Sequence, residues 1–237
     1  MKTSLSHGLV VLLCSIAVAG QSGRKDQNML VTALRELAPS IRPSADRAWN
    51  REPAVRVIDC VLSLNRWHDA LVTTTLDRFE REHPDIRTVT DLQNLMAQYR
   101  SPSAFVREVL NYRPGYAGML SAVVRWLAGV SGRGLYAEQL SNLQRWAAKA
   151  RPADHQRLLI RRFGLTGFQY LRMLFGANTT KPDSQIRRFV TTCIGREVSN
   201  VEVLQHAALE AGISLRDLDT AIWKDSVRGH SAGSFGQ

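Results

Sequence analysis

Cysteine is scarce in this chain of 237 residues: Cys14, Cys60 and Cys193 stand alone and far apart. With no CxxC pair and no set of four, the sequence offers neither a clustered zinc site nor an iron–sulfur cluster, and no metal or cofactor is expected. A chain of this size buries enough surface to fold without disulfides. Acidic residues are also short, 21 against 31 basic ones, for a net charge of +10 with histidines neutral. No apolar run reaches the roughly 20 residues that span a bilayer, so no membrane partner is expected. Convincing period-2 alternation is missing, which argues against sheet, and no fixed repeat suggests a solenoid. A hydrophobic content of 44% with 22% charged residues rules out a disordered polycation.

What is present is arginine: 26 of the 31 bases. The guanidinium fork matches phosphate better than an ammonium does, so the excess points to a phosphate-bearing polyanion. It is also local, because residues 151–196 carry nine bases and two acids, +7 of the total.

Apolar residues recur at helical spacing from Met29 onward, with Gly and Pro as punctuation, and they predict ten or more short helices. The spans include Ala54 to Trp67, Asp69 to Glu82, Thr88 to Tyr99, Tyr116 to Val130, Tyr136 to Ala150, Ala153 to Phe163, Phe168 to Phe175, Pro182 to Ile194 and Leu215 to Val227. Thr88 three residues before Asp91 has the form of a capping box. Residues 1–28 form a separate hydrophobic segment: Lys2, an apolar run from Leu9 to Ala19 and an Ala17-Val18-Ala19 site read as an export signal, as a packed helix, or as a start assigned upstream of Met29. Residues 228–237 are rich in Gly and Ser and read as a flexible tail.

The most informative stretch runs from Arg161 to Arg188. Gly164-Leu165-Thr166-Gly167 reads as a tight turn opening onto a helix N-terminus, where free N–H groups attract phosphate. After that helix come Phe175-Gly176, a polar loop, and Asp183-Ser184-Gln185-Ile186-Arg187-Arg188. This order resembles the helix-hairpin-helix DNA glycosylase superfamily, in which a Gly-containing hairpin leads through a helix to a catalytic aspartate followed by an arginine. The resemblance puts Asp183 on the aspartate and Arg188 on the arginine. It also puts Ser63-Leu64-Asn65 on an element whose amide fills the space left by an extruded base.

Departures are as plain. The two hairpin glycines are separated by two residues rather than one, Gln169 stands where bifunctional members carry a Schiff-base lysine, Gln185 replaces a common histidine, and the four-cysteine cluster is absent. Lysine-imine chemistry is therefore unsupported.

The resemblance implies an all-α, two-lobed helix-hairpin-helix glycosylase-like fold. One lobe would span residues 54–176, a helical barrel ending in the hairpin, and the other would combine 29–53 with 182–227. It further implies a monomeric, cytoplasmic, nucleoid-associated base-excision repair enzyme acting on double-stranded DNA, which hydrolyses the N-glycosidic bond of a flipped base. Asp183 would stabilise the oxocarbenium ion. Gly164, Thr166, Gly167, Gln169, Asn65 and Arg188 would contact DNA. Two other readings stand beside it: a DNA-binding protein without catalysis, and an exported cationic helical protein. Locally, Asp183 also reads as a capping-box acid three residues after Thr180.

Overall fold

The structure is a computed structural model that describes residues 23–41, 47–64, 70–197 and 202–233. The described chain is all-helical, with no strand among the described residues. It divides into two compact units, Ala45–Ala177, and Met1–Ser44 together with Asn178–Gln237. No helix among the described residues is long and apolar enough to cross a membrane.

Helix α1 is Gly23–Leu37, and it belongs to the discontinuous unit. The central unit then contributes α2 (Pro53–Leu62), α3 (Ala70–Glu82), α4 (Val89–Ala97), α5 (Pro102–Glu108), α6 (Ala117–Ser131), α7 (Tyr136–Lys149) and α8 (Leu165–Leu174). Its axis is α2, nine of whose ten residues are buried, with Pro53 pre-set for the first helical turn. Such a helix has to be covered on all sides, and α3, α4, α6 and α8 do so. The expected capping box forms at α4: the Asp91 N–H donates to Thr88 Oγ1 at 3.0 Å and the Thr88 N–H to Asp91 Oδ2 at 2.8 Å. Three aromatic rings join α6, α7 and α8, with Trp126 edge-on to Trp146 at 5.1 Å and stacked on Phe168 at 6.3 Å. Burying a ring such as Phe168 stabilises the unit by roughly 2–3 kcal/mol, with about 1 more from favourable ring geometry.

The chain between α7 and α8 departs from the sequence reading. In place of a helix from Ala153 to Phe163, a 3-10 helix covers only Pro152–Arg157. An irregular stretch follows, in which Leu159 (φ +48°) and Arg162 (φ +67°) adopt left-handed backbone. Two such residues cannot continue an α-helix, and Leu158 and Ile160 reach the core from an irregular backbone instead. The Gly164–Gly167 turn is likewise corrected: Gly164 caps α8, and Gly167 sits inside its first turn.

In the other unit, α9 (Ser184–Ile194), α10 (Glu202–Glu210) and α11 (Leu215–Gly233) join α1. Leu30, Val31 and Leu34 pack with Ile186, Val190, Ile194, Leu204 and Ala207, a stripe on each helix at spacings of three or four. Gly195 ends α9 in the left-handed conformation that favours glycine. The Asn178 amide oxygen accepts the Leu215 N–H at 2.8 Å and so caps α11. That helix continues to Gly233, past the point at which the sequence suggests a tail.

Candidate nucleic-acid interface

Arginine plays two roles in the central unit, and burial separates them. Arg51 is 5% exposed and pairs with Asp77 at 2.6 Å and with Glu80, tying α3 to the chain entering α2. Arg172 donates through Nε to the Ala147 carbonyl at 3.0 Å and through a terminal nitrogen to Gln169 Oε1 at 2.6 Å. Burial lowers its pKa from the ordinary arginine value, with Asp154 acting the other way. These guanidiniums are spent on the fold.

Four others are not. Gly118, Ala122 and Arg125 recur at i, i+4 and i+7, which aligns them on one face of α6. Opposite lies the segment Arg157–Arg162, and between them opens a groove of about 720 Å³. Arg125, Arg157, Arg161 and Arg162 line it, all exposed, and no acidic residue does. Gly115 and Gly118 leave the groove open, since neither carries a side chain and a Cβ at either would meet nothing within 4 Å. Trp126 is the sole aromatic in the lining. The Arg157–Arg162 segment is anchored by Leu158 and Ile160, which pack on the core, and the 3-10 helix before it is closed at its start by Asp154, whose Oδ2 accepts the Arg151 N–H at 2.7 Å. Asp154 also approaches Arg157 at 3.8 Å, a contact worth little at an exposed site.

Of the residues expected to touch DNA, Gly164 is exposed at the start of α8 and Thr166 is partly exposed in its first turn. Gly167 is buried, and a Cβ there would stand 2.9 Å from Leu64 and from the Phe163 ring, so its smallness serves helix packing. Gln169, 2% exposed, holds Arg172 and presents no surface to a ligand. Tyr170, one residue further along α8, is 7% exposed and points its hydroxyl at the buried carboxylate of Asp59, which also accepts from Ser63 at 2.8 Å. Asn65 lies outside the described residues, as do residues 1–22.

Asp183 belongs to the other unit. It is the N-cap of α9 itself rather than the third residue of a box begun by Thr180. Its Oδ1 accepts the N–H groups of Gln185 at 2.9 Å and Ile186 at 3.2 Å, and its Oδ2 pairs with Lys181 Nζ at 3.1 Å. The Lys181 N–H in turn donates to Asp219 Oδ1 at 3.0 Å. Burial pushes the Asp219 carboxyl up to about 7, against the pull of Lys181. Arg187 and Arg188 are exposed on α9.

Sequence reasoning missed Arg125. Its register with Gly118 and Ala122 was the available signal, but only the fold brings that face opposite a segment more than thirty residues downstream.

Fold and site together define an all-helical protein with an arginine-lined groove. The chain belongs to the family described as Domain of unknown function (DUF8548), whose model matches residues 28–226. No curated protein and no solved structure matches it.

Proposed function

We propose that this protein binds double-stranded DNA by its phosphate backbone, through the groove between α6 and Arg157–Arg162. One observation carries the reading: four exposed arginines line a single groove that contains no acidic residue. Guanidiniums placed this way displace condensed counterions when they meet phosphates, which makes binding favourable and steeply salt-dependent. Duplex is favoured over single strands because single-strand binders need free aromatic faces for stacking, and Trp126 is already packed against Trp146 and Phe168. The base-excision chemistry suggested by Asp183 is a weaker reading, since both oxygens of that carboxylate already have partners.

Fluorescence anisotropy on a labelled duplex across a salt series tests the proposal. Affinity should fall with salt, and Arg161→Ala and Arg162→Ala should each reduce the slope of log K against log salt by about 1. Wild-type slopes shared by all three proteins would defeat it. Mass determination of the mature N-terminus is an independent check, because a start at Gly20 or Gln21 would mark an exported protein with no access to chromosomal DNA.

A further inference from the structure

Leu159 is the most exposed large hydrophobic residue among the described residues, at 91%, and it stands between Arg157 and the Arg161-Arg162 pair. Its backbone lies at φ +48°, a left-handed region in which a bulky non-glycine residue is strained. Neither packing nor local geometry accounts for a leucine here: the side chain buries nothing, and Gly or Asn would suit the backbone better. Its neighbours face the other way, with Leu158 and Ile160 packed against the core of the same unit. The result is an apolar side chain fixed on both flanks, held out in water and ringed by groups suited to phosphate. Leu71, Leu135 and Leu209 are also exposed, but none of them lines this groove.

We infer that Leu159 is a wedge that enters between base pairs of the duplex gripped by Arg125, Arg157, Arg161 and Arg162. This deepens the DNA-binding reading and rests on it. An apolar side chain driven into a base step unstacks it and bends the duplex, most cheaply at flexible pyrimidine–purine steps. The cost of unstacking is offset by the arginine contacts on either side, and the strained backbone keeps the side chain presented before DNA arrives. The role is one of DNA deformation and carries no sequence code of its own.

The experiment uses the full chain and duplexes that carry 2-aminopurine at a central pyrimidine–purine step, because the fluorescence of this base rises when it is unstacked. Saturating wild-type protein should raise the signal several-fold. Leu159→Ala should lose most of that rise while its circular dichroism is unchanged and its affinity stays within about tenfold, since the phosphate contacts remain. Leu159→Met, equally apolar, should keep the rise. Arg161→Ala should weaken binding yet reach the wild-type signal at saturation. Duplex binding with no rise, or a rise undiminished in Leu159→Ala, would overturn the wedge and leave the DNA reading standing. Absence of duplex binding at low salt would overturn both. Sedimentation of the protein with phosphatidylserine vesicles, dependent on Leu159 and unaccompanied by any 2-aminopurine response, would overturn the wedge in favour of a lipid surface.

Discussion

In the groove of the central unit, Arg125, Arg161 and Arg162 are exposed and have no carboxylate partner among the described residues. At the start of α9, in the other unit, Lys181 is held 3.1 Å from Asp183, while Asp183 and Asp219 each accept backbone N–H groups. Both sites draw on the same positively charged stretch of sequence, yet the groove leaves its charge open whereas Lys181 is neutralised locally. A charge count locates a polyanion-binding segment; pairing and burial decide which of its bases are available.

The strongest way to break this contrast is to remove the open charges together. Arg125→Ala with Arg161→Ala and Arg162→Ala should lower duplex affinity by roughly a hundred- to a thousandfold at low salt, taking each contact as worth about 0.9 to 1.4 kcal/mol. The salt slope should drop by about three. Surface substitutions of this kind leave stability nearly unchanged, so thermal melting provides the control.

Arg172→Met should do the reverse. It strands the Gln169 amide oxygen and the Ala147 carbonyl, at a cost of about 2 kcal/mol in a denaturant titration, and leaves the salt slope where it was. Of five arginine or lysine residues from 151 to 177, Arg172 is the buried one, and only the structure tells it from Arg161.

The all-α class was legible because helical spacing is written in each segment separately. Tyr136–Lys149 and Ser184–Ile194 lie within a residue or two of the spans that their apolar patterns suggest. The break at Leu159 was not legible, because Leu158-Leu159-Ile160 fits a helix pattern as well as it fits two anchors around an exposed residue. The groove was half legible: Arg157, Arg161 and Arg162 fall within the basic stretch 151–196, but their partner on α6 is a tertiary neighbour. The glycines that suggested a phosphate-binding hairpin proved to be a helix cap and a packing contact, roles that share the same residue type for different steric reasons.

Asp219 sharpens the comparison from the paired side. Its folded pKa of about 7 lies above the ordinary 3.8, with burial the main cause and Asp183 adding to it, while Lys181 opposes. A raised folded value means that the protonated form is the better tolerated one. The contribution is therefore complete below about pH 4 and is lost as pH rises through 7. Denaturant titrations from pH 4 to 8 should show stability falling across that window. Asp219→Asn, which keeps an acceptor for the Lys181 N–H, should flatten the fall.

The smallest change is expected at Asp183. Asparagine caps a helix about as well as aspartate, so Asp183→Asn should retain the bonds from Gln185 and Ile186 and give up only the contact with Lys181. Stability should shift by under about 0.5 kcal/mol, against about 1 for Asp183→Ala. Duplex affinity should be unchanged, because the carboxylate carries no positive charge to the phosphates and the groove lies in the other unit. The informative readout is base release from a panel of lesion-bearing duplexes. If Asp183 is a cap and nothing more, wild type and Asp183→Asn behave alike. Release by wild type that vanishes in Asp183→Asn, with stability and affinity both kept, would show that this carboxylate acts on a sugar, and would turn the paired site of the molecule into its catalytic one.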